Sequence, residues 1–402
     1  MTTRLIEADI PEAVLEVVKG LQQAGHRAFL VGGCVRDLLR GQKPKDFDVA
    51  TSARPAVVQK LFRRVIPTGI EHGTVTVVVR GAHVEVTTFR AEADYVDGRR
   101  PSRVDFHDDI DADLARRDFT MNAMAWDPVS RLLVDPFGGQ DDLKARVVRC
   151  VRDPMERFSE DGLRPLRAVR FATVLDFTVD PSTEAAIPPT LPVFRKVAPE
   201  RVHQEFVKLL VAPHAPFGLT LLSRTGLLGV FLPEAEGSDF AAVGRAPAEE
   251  APRLAVLLGH RVDARDLVLR LRFPTRVAEE VGHLVKHQEL PPEETDDAGL
   301  RRWLSRVDER HALTLLEVAA ARGREPAGLR ARVEALLRTR PPLTTKALAL
   351  DGKALMDELG VGPSPLVGQA SRYLLDVVLD DPTRNTPDGL RAALKAWKRP
   401  SS

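Results

Sequence analysis

An α+β fold, with a small mixed sheet first and helices thereafter, is what this sequence predicts, and three observations carry the prediction. Between residue 29 and about 140, short apolar runs of strand character alternate with helical segments. Beyond the turn-rich stretch VDPFGGQDDLKARVV at 134–148, the apolar spacing becomes helical and stays so. No fixed-period repeat and no long low-complexity segment interrupts either part. These changes divide the chain into a head over 1–145, a helical neck over 146–212, and a helical body and tail over 213–402.

Each element has a local reason. The first 28 residues read as a capping helix, PEAVLEVVKGLQQAG, and FLV at 29–31 as a short buried strand. Gly32 and Gly33 then let the backbone turn sharply and approach a ligand closely. CVRDLLRG continues as a helix with Gly41 as its C-cap. KDFDVAT reads as a strand, while GTVTVVV and HVEVTTF form an antiparallel pair around a turn at Arg80–Ala82. YVDGRRPSRV at 95–104 reads as a loop, and FSEDGLRPLRAVRFATVL at 158–175 as a single helix. ERVHQEFVKLL and APFGLTLLSRTGLLGVFL are further helices; SDFAAVGRAPAEEAP at 238–252 reads as a loop or linker before more amphipathic helices.

Composition narrows the function. At 402 residues, the chain is long enough for two or more domains with substantial cores. Its net charge of +1 removes any bulk electrostatic case for nucleic acid, although arginine outnumbers lysine and suits bidentate phosphate binding. Aromatic residues make up 5%, too few for extended base stacking, so an RNA partner would be held by backbone and shape. Cys34 and Cys150 form no metal pattern, which points to buried thiols in a reducing, cytoplasmic compartment. No apolar run has the length of a membrane span, and the N-terminus has no signal-peptide core.

Five stretches carry chemistry. A Gly-Gly turn opening a helix presents free N–H groups to an anion such as phosphate, with Arg36 one turn in as a forked donor, though such a turn also serves simply as a turn. Asp46 and Asp48 share a strand face, where water solvates them or a divalent cation such as Mg²⁺ relieves their repulsion. Glu85, between two valines, faces out as a third acid for that site or as an ordinary surface glutamate. Arg116, Arg117, Asp118 and Asn122 form a charged cluster fit for ribose and phosphate, or a salt-bridge cluster at a helix start. Asp161, Arg164 and Arg167 follow at steps of three, either as a surface that reads the edge of a base or as an intrahelical ion pair.

Taken in order, these stretches resemble the class II tRNA nucleotidyltransferase and poly(A) polymerase family, within the polymerase β-like nucleotidyltransferases. The likeness covers about residues 25–175. It runs through FLVGGCVRDLLRGQKPKDFDVATSA, GTVTVVV, VEVTTFRAEADYVDGRRPSRV, DLARRDFTMNAMA, DPFGGQDDL and DPMERFSEDGLRPLRAVRFA. It implies that Gly32, Gly33 and Arg36 hold a triphosphate and that Asp46 and Asp48 bind Mg²⁺, with Glu85 as the third carboxylate. Arg117, Asp118 and Asn122 would meet the nucleotide sugar and phosphates. Asp161 and Arg164 would template the base, supported by Arg167 and Arg170. The head is then catalytic, the neck carries the nucleotide-recognition helix, and the body and tail bind tRNA, with GVGPSP at 360–365 offering a turn and helix start to RNA phosphate.

The chain departs from the family in two places. Gly162 stands where the family often has proline, and Pro165 comes later, one turn inside the expected helix, where it would remove a backbone bond. At RLAVLLGHRV, where some relatives carry a His-Asp phosphohydrolase domain, His260 is followed by Arg261, so no second metal site is expected. The resemblance implies CCA addition to tRNA from CTP and ATP, with A-only addition or poly(A) synthesis as alternatives and small-molecule nucleotidyl transfer as a more distant one. It implies no membrane and no protein partner.

Overall fold

The computed structural model describes residues 9–96, 100–106, 109–259 and 261–397, and the chain forms two compact units, Met1–Glu236 and Gly237–Ser402. The first unit opens with helix α1 (Glu12–Gln23), strand β1 (Ala28–Val31), α2 (Gly33–Leu39), β2 (Asp48–Thr51) and α3 (Pro55–Leu61). Strands β3 (Val65–Gly69), β4 (Thr74–Val79), β5 (Ala82–Thr88), β6 (Arg90–Val96) and β7 (Arg100–Phe106) follow, then α4 (Ile110–Ala115), β8 (Ala125–Asp127) and β9 (Leu132–Val134). Seven strands make one sheet in the order β3-β4-β5-β2-β1-β8-β9. Every neighbouring pair is antiparallel except β2 and β5, which run parallel. The mixed sheet and the helices after it are those the sequence predicts.

The sheet has two different faces. Leu30, Val49, Val75, Val77, Val84 and Val86 pack on one side with Val17 and Leu21 of α1, Val35 and Leu38 of α2, and Val58 of α3. Phe29, Val31 and Ala50 point the other way, onto a smaller cluster with Phe89, Ile110, Leu114 and Val151. Asp48 shares its parity with Ala50 and therefore lies on this second, thinly covered face. The β4–β5 turn is the predicted one: Arg80 and Gly81 both take positive φ, 51° and 80°, as a two-residue hairpin requires. Helix α2 ends as expected at Gly41, whose N–H reaches Leu38 O while that of Gln42 reaches Asp37 O, closing the last carbonyls.

Three sequence readings need correction. The stretch 95–104 is not a loop: Tyr95 pairs with Pro101 and Val96 with Arg100 across an antiparallel ribbon of β6 and β7, and residues 97–99 lie outside the described ones. Its polar alternation conceals the strands because the ribbon stands apart from the main sheet. The expected helix over 158–175 is two, α6 (Pro154–Glu160) and α7 (Arg164–Leu175), beyond α5 (Gly139–Ala145). Asp161 between them is extended, at φ −137°. Gly162 sits in this break, where a Cβ would come 2.7 Å from the backbone oxygen of Val193, a close approach that a side chain would not permit. Pro165 then falls in the first turn of α7, where no amide partner is needed, and the helix is unbroken.

The first unit continues with a short parallel pair, β10 (Val147–Val148) and β11 (Thr178–Val179), then α8 (Pro181–Ala185), α9 (Ile187–Phe194), α10 (Pro199–Leu210), α11 (Ala215–Arg224) and α12 (Leu227–Phe231). The second unit is helical among its described residues. Its first helices, α13 (Phe240–Arg245) and α14 (Glu250–Leu258), occupy the stretch read as a linker, and Asp239 caps the first by accepting from Ala242 N. Small residues and prolines disguise that helix, but Ala242 and Val243 are buried. Farther on, α15 (Gly352–Leu359) and α16 (Pro365–Asp380) flank GVGPSP, which serves as the turn between them and places Pro365 at the start of the second. Leu355, Leu374, Val378 and Leu390 form a core there. His260 lies outside the described residues.

The DPFGG motif supports the site from below. Asp135 caps α5 through Gly139 N at 2.7 Å and Gln140 N at 2.9 Å, and Asp142 of α5 accepts from Thr120 Oγ1 at 2.6 Å. A Cβ on Gly139 would sit 2.3 Å from the backbone oxygen of Thr120, two residues before Asn122. Gly139→Ala is expected to destabilise the first unit by about 1–3 kcal/mol, because backbone rather than a flexible side chain must move. Urea unfolding of the variant against the parent measures it.

Candidate active site

The sheet register builds a row of functional positions. Val31, the last residue of β1, pairs with Asp48, and Asp48 pairs with Glu85. The Gly32–Gly33 turn therefore leaves β1 beside Asp48, and Glu85 lies on the far side of the same acid. Asp46 precedes β2, and burial alternates from exposed Asp46 through buried Phe47 to exposed Asp48, so the chain is already extended there. Crowding by protein raises the Asp48 carboxyl above its ordinary range; Arg117 pulls it down and Asp46 pushes it up. Glu85 is raised by burial and then by the charges of Asp48 and Asp46.

No group of three or more His, Cys, Asp or Glu among the described residues is close-set enough to hold a metal alone. Two carboxylates completed by ligand oxygens suffice for a hard divalent cation. Asp48 and Glu85, raised by burial and further by the charges of neighbouring acids, are carboxylates that a cation would stabilise, so the donor set fits one.

Beside this row lies a cleft of about 470 Å³. Gly32, Gly33 and Arg36 reach it from the start of α2, Arg117, Asp118 and Asn122 from the segment after α4, and Arg164, Arg167 and Arg170 from α7. Asp161 joins them from the break before α7, and Asp48 from the start of β2. Asp46 and Glu85 are not in its lining. Gly32 is favoured by its φ of 76°, and a Cβ there would stand 2.7 Å from the Arg117 guanidinium, which would have to move aside.

Each arginine is set by a carboxylate or carbonyl behind it. Arg36 donates to both oxygens of Asp37 and, at 2.8 Å, to Asn122 Oδ1. Arg116 and Arg117 both bond fully buried Asp113, and Arg117 Nε is buried with no hydrogen-bond partner among the described residues. Arg164 donates to Glu160, to Arg157 O at 2.9 Å and to Arg116 O at 3.0 Å. Arg167 donates twice to Asp118 Oδ2, at 2.9 and 2.6 Å, and Arg170 donates to Glu205 at 2.7 Å. Asp161 accepts from Arg201 at 2.7 Å and from Leu163 N at 3.0 Å.

Sequence reasoning missed several of these residues. Phe171 lines the cleft beside the expected Arg116, and the Arg36, Arg167 and Arg170 guanidinium carbons stand 5.3, 5.4 and 3.4 Å from the Phe171 ring centre. Asp113, Glu160, Arg201 and Glu205 stand behind it. Glu205 had a signal: it occupies a position of the apolar stripe Val202, Phe206, Leu209, where a lone acid implies a buried partner. Cys34 lies beneath the row, its thiol pushed up to about 11 by burial, and Cys150 is likewise pushed up to about 12; both are free and buried.

Residues 28–149 match the family described as Poly A polymerase head domain, and residues 176–238 the one described as Probable RNA and SrmB-binding site of polymerase A. The CCA-adding enzyme of Geobacillus stearothermophilus is 37% identical over 405 residues, spanning 96% of this chain and 97% of that one. The chain belongs to the CCA-adding enzyme family. The family's member from Lactobacillus helveticus is 34% identical, again over 96% of this chain and 97% of that enzyme. The crystal structure of the Bacillus stearothermophilus CCA-adding enzyme in complex with CTP superposes with a TM-score of 0.81 at 32% identity, covering 96% of each chain. The Thermotoga maritima CCA-adding enzyme complexed with tRNA_CCA shares the fold, at a TM-score of 0.66 and 21% identity over 99% of this chain and 98% of that one.

Asp118 is the most strongly committed acid of the cleft. Burial alone would raise its carboxyl, but the charge of Arg167 and the hydrogen bonds of Asn122 and Arg167 bring it down to about 2 from an ordinary 3.8. A depressed carboxylate contributes stability that is present above the unfolded value and lost as pH falls through the folded one. That contribution is about 2 kcal/mol, and it disappears between the two values. Asp118→Asn is expected to be less stable at neutral pH and to lose less further stability on acidification across that window. Unfolding curves at neutral and acid pH, parent against variant, test both halves.

Proposed function

We propose that this chain completes the 3′ end of tRNA by template-independent addition of CCA, taking CTP and ATP and releasing pyrophosphate. One coincidence carries the reading. Kinship with CCA-adding enzymes spans 96% of the chain, and the acids Asp48 and Glu85 pair in register beside an arginine-lined cleft. In this reading, residues 1–145 are the catalytic head, 146–212 the neck that recognises the nucleotide, and 213–402 the tRNA-binding body and tail. No helix among the described residues is long and apolar enough to cross a membrane, and we place the enzyme in the cytoplasm with its tRNA.

The protein's groups divide the work. Gly32 and Gly33 admit phosphate oxygens close to the backbone, and Arg36 and Arg117 supply donors to them. Asp118 and Asn122 receive the ribose, while Asp161 and Arg164 face the base edge with Arg167 and Arg170 around them. Mg²⁺ held by Asp46 and Asp48, with Glu85 as the third acid, would make the tRNA 3′-hydroxyl a better nucleophile and neutralise charge on the departing pyrophosphate. The arginine cleft holds the nucleotide in line for attack at its α-phosphorus, so positioning supplies much of the rate.

Extension of tRNA ending before CCA, after CC and after CCA, with CTP and ATP given separately, tests the activity. Growth on all but the complete end is expected. A-only extension or a long A tract would replace this reading with one of the two alternatives. Asp46→Ala and Asp48→Ala are each expected to abolish incorporation while leaving unfolding midpoints near the parent value. A folded double variant that extends tRNA at the parent rate would remove the acids from the chemistry.

Base choice follows from donors and acceptors. Cytosine and adenine carry an amino group where uracil and guanine carry a carbonyl, and a carboxylate facing that carbonyl leaves acceptors unpaired at about 1–3 kcal/mol. Asp161→Ala should therefore lower the preference for CTP and ATP over UTP far more than Glu85→Gln does. Competition between mixed nucleotides reads this directly.

A further inference from the structure

Helix α10 contributes nothing to the cleft lining, yet two of its side chains hold residues that line it. Arg201 and Glu205 stand four residues apart and so on one helix face. Arg201 Nη2 donates to Asp161 Oδ2 at 2.7 Å. Glu205 accepts from Arg170 Nε at 2.7 Å and lies 3.5 Å from Arg167 Nη1. One helix therefore presents a cation to the acid of the recognition surface and an anion to its flanking arginines. We propose that Arg201 is a positioning residue that determines specificity, fixing the Asp161 carboxylate for selection of CTP and ATP against UTP and GTP. The proposal rests on the base-reading role argued above for Asp161.

The need for such a residue comes from the backbone. Asp161 belongs to neither α6 nor α7 but to the extended break between them, at φ −137° and ψ 106°. The terminal torsion of an aspartate is broad, so its carboxylate would swing unless both oxygens were held. Leu163 N holds Oδ1 at 3.0 Å and Arg201 holds Oδ2. Both are donors, and a carboxylate offers about four lone-pair directions, so each oxygen keeps an acceptor for an incoming amino group. What remains is an acceptor-only edge in a fixed orientation, which a carbonyl cannot satisfy.

The other arginines do not substitute for Arg201. Arg167 feels the charge of Asp161, but its hydrogen bonds go to Asp118 and it lies against Glu205. Arg170 is bonded to Glu205, and Arg164 to Glu160 and two backbone carbonyls. Glu205 thus occupies two nearby guanidinium groups while Arg201, from the same face, takes the acid. A Gln at 201 would leave Oδ2 free to turn, and a uracil carbonyl would no longer be forced against it.

Single-nucleotide incorporation into tRNA lacking its 3′ end, from CTP–UTP mixtures, tests the proposal on Arg201→Gln, Arg201→Lys, Asp161→Ala and the Arg201→Gln/Asp161→Ala double variant. Arg201→Gln is expected to lower the CTP-over-UTP preference about tenfold. The KM for CTP should rise more than kcat falls, tRNA affinity should stay at the parent level, and Arg201→Lys should recover part of the preference. On the Asp161→Ala background, Arg201→Gln should change selectivity no further, because its effect passes through that acid. Should the Gln variant fail to fold, Arg201→Met, which keeps the apolar stem, repeats the measurement. If Asp161→Ala loses selectivity and folded Arg201→Gln keeps it, or if the two losses add, the positioning role is overturned and the reading of Asp161 stands. If Asp161→Ala itself keeps full selectivity, the base-reading role is wrong and this proposal falls with it.

Discussion

Asp118 is a buried anion, 8% exposed, and the two sides of the cleft are joined through it. It accepts from Asn122, which in turn holds Arg36 at the start of α2, and from Arg167, which also lies against Glu205. Glu205 completes the chain by holding Arg170. A continuous line of charge-assisted contacts thus runs from Arg36 at the start of α2 to Arg167 and Arg170 on α7. Within low-dielectric surroundings each member is held partly by the next, since removing one costs its neighbour a charge-assisted partner. The cleft arginines are therefore held in place before any ligand arrives, and a polyanion meets donors already oriented.

The sheet supplies the second constraint. Only one neighbouring pair in it is parallel, β2 with β5, and that pair sets Asp48 against Glu85. Side chains alternate along a strand, so a shift of one residue would send both acids into the valine core on the opposite face. Val84 and Val86 on one side, and Val49 and Leu30 beside them, make that shift costly. The acids are exposed because the core on the other face is full.

Glycine positions mark where backbone approaches backbone or guanidinium too closely for a side chain. Gly32 passes beneath Arg117, Gly139 against Thr120, and Gly162 against Val193. The last of these lies at the break between α6 and α7, beside Asp161 on extended chain, whose orientation depends on bonds from Leu163 and Arg201 rather than on helix geometry.

What the sequence determined by itself was local. The Gly41 helix end, the Arg80–Gly81 hairpin, the alternation that leaves Glu85 outward, and the order of the motifs across residues 25–175 all follow from neighbours in the chain, because turns, caps and side-chain parity involve only a few adjacent residues. The α+β class and the set of residues gathered in the cleft were legible for the same reason, together with the family resemblance. The tertiary structure decided the pairings. Arg201 meets Asp161 across 40 residues, Arg167 meets Asp118 across 49, and Arg36 meets Asn122 across 86. No spacing rule reaches that far: a salt bridge between distant segments depends on how the sheet and helices pack. The sequence offered Asp161 and Arg164 to each other as a pair at helical spacing, and the break between α6 and α7 placed the acid off the helix.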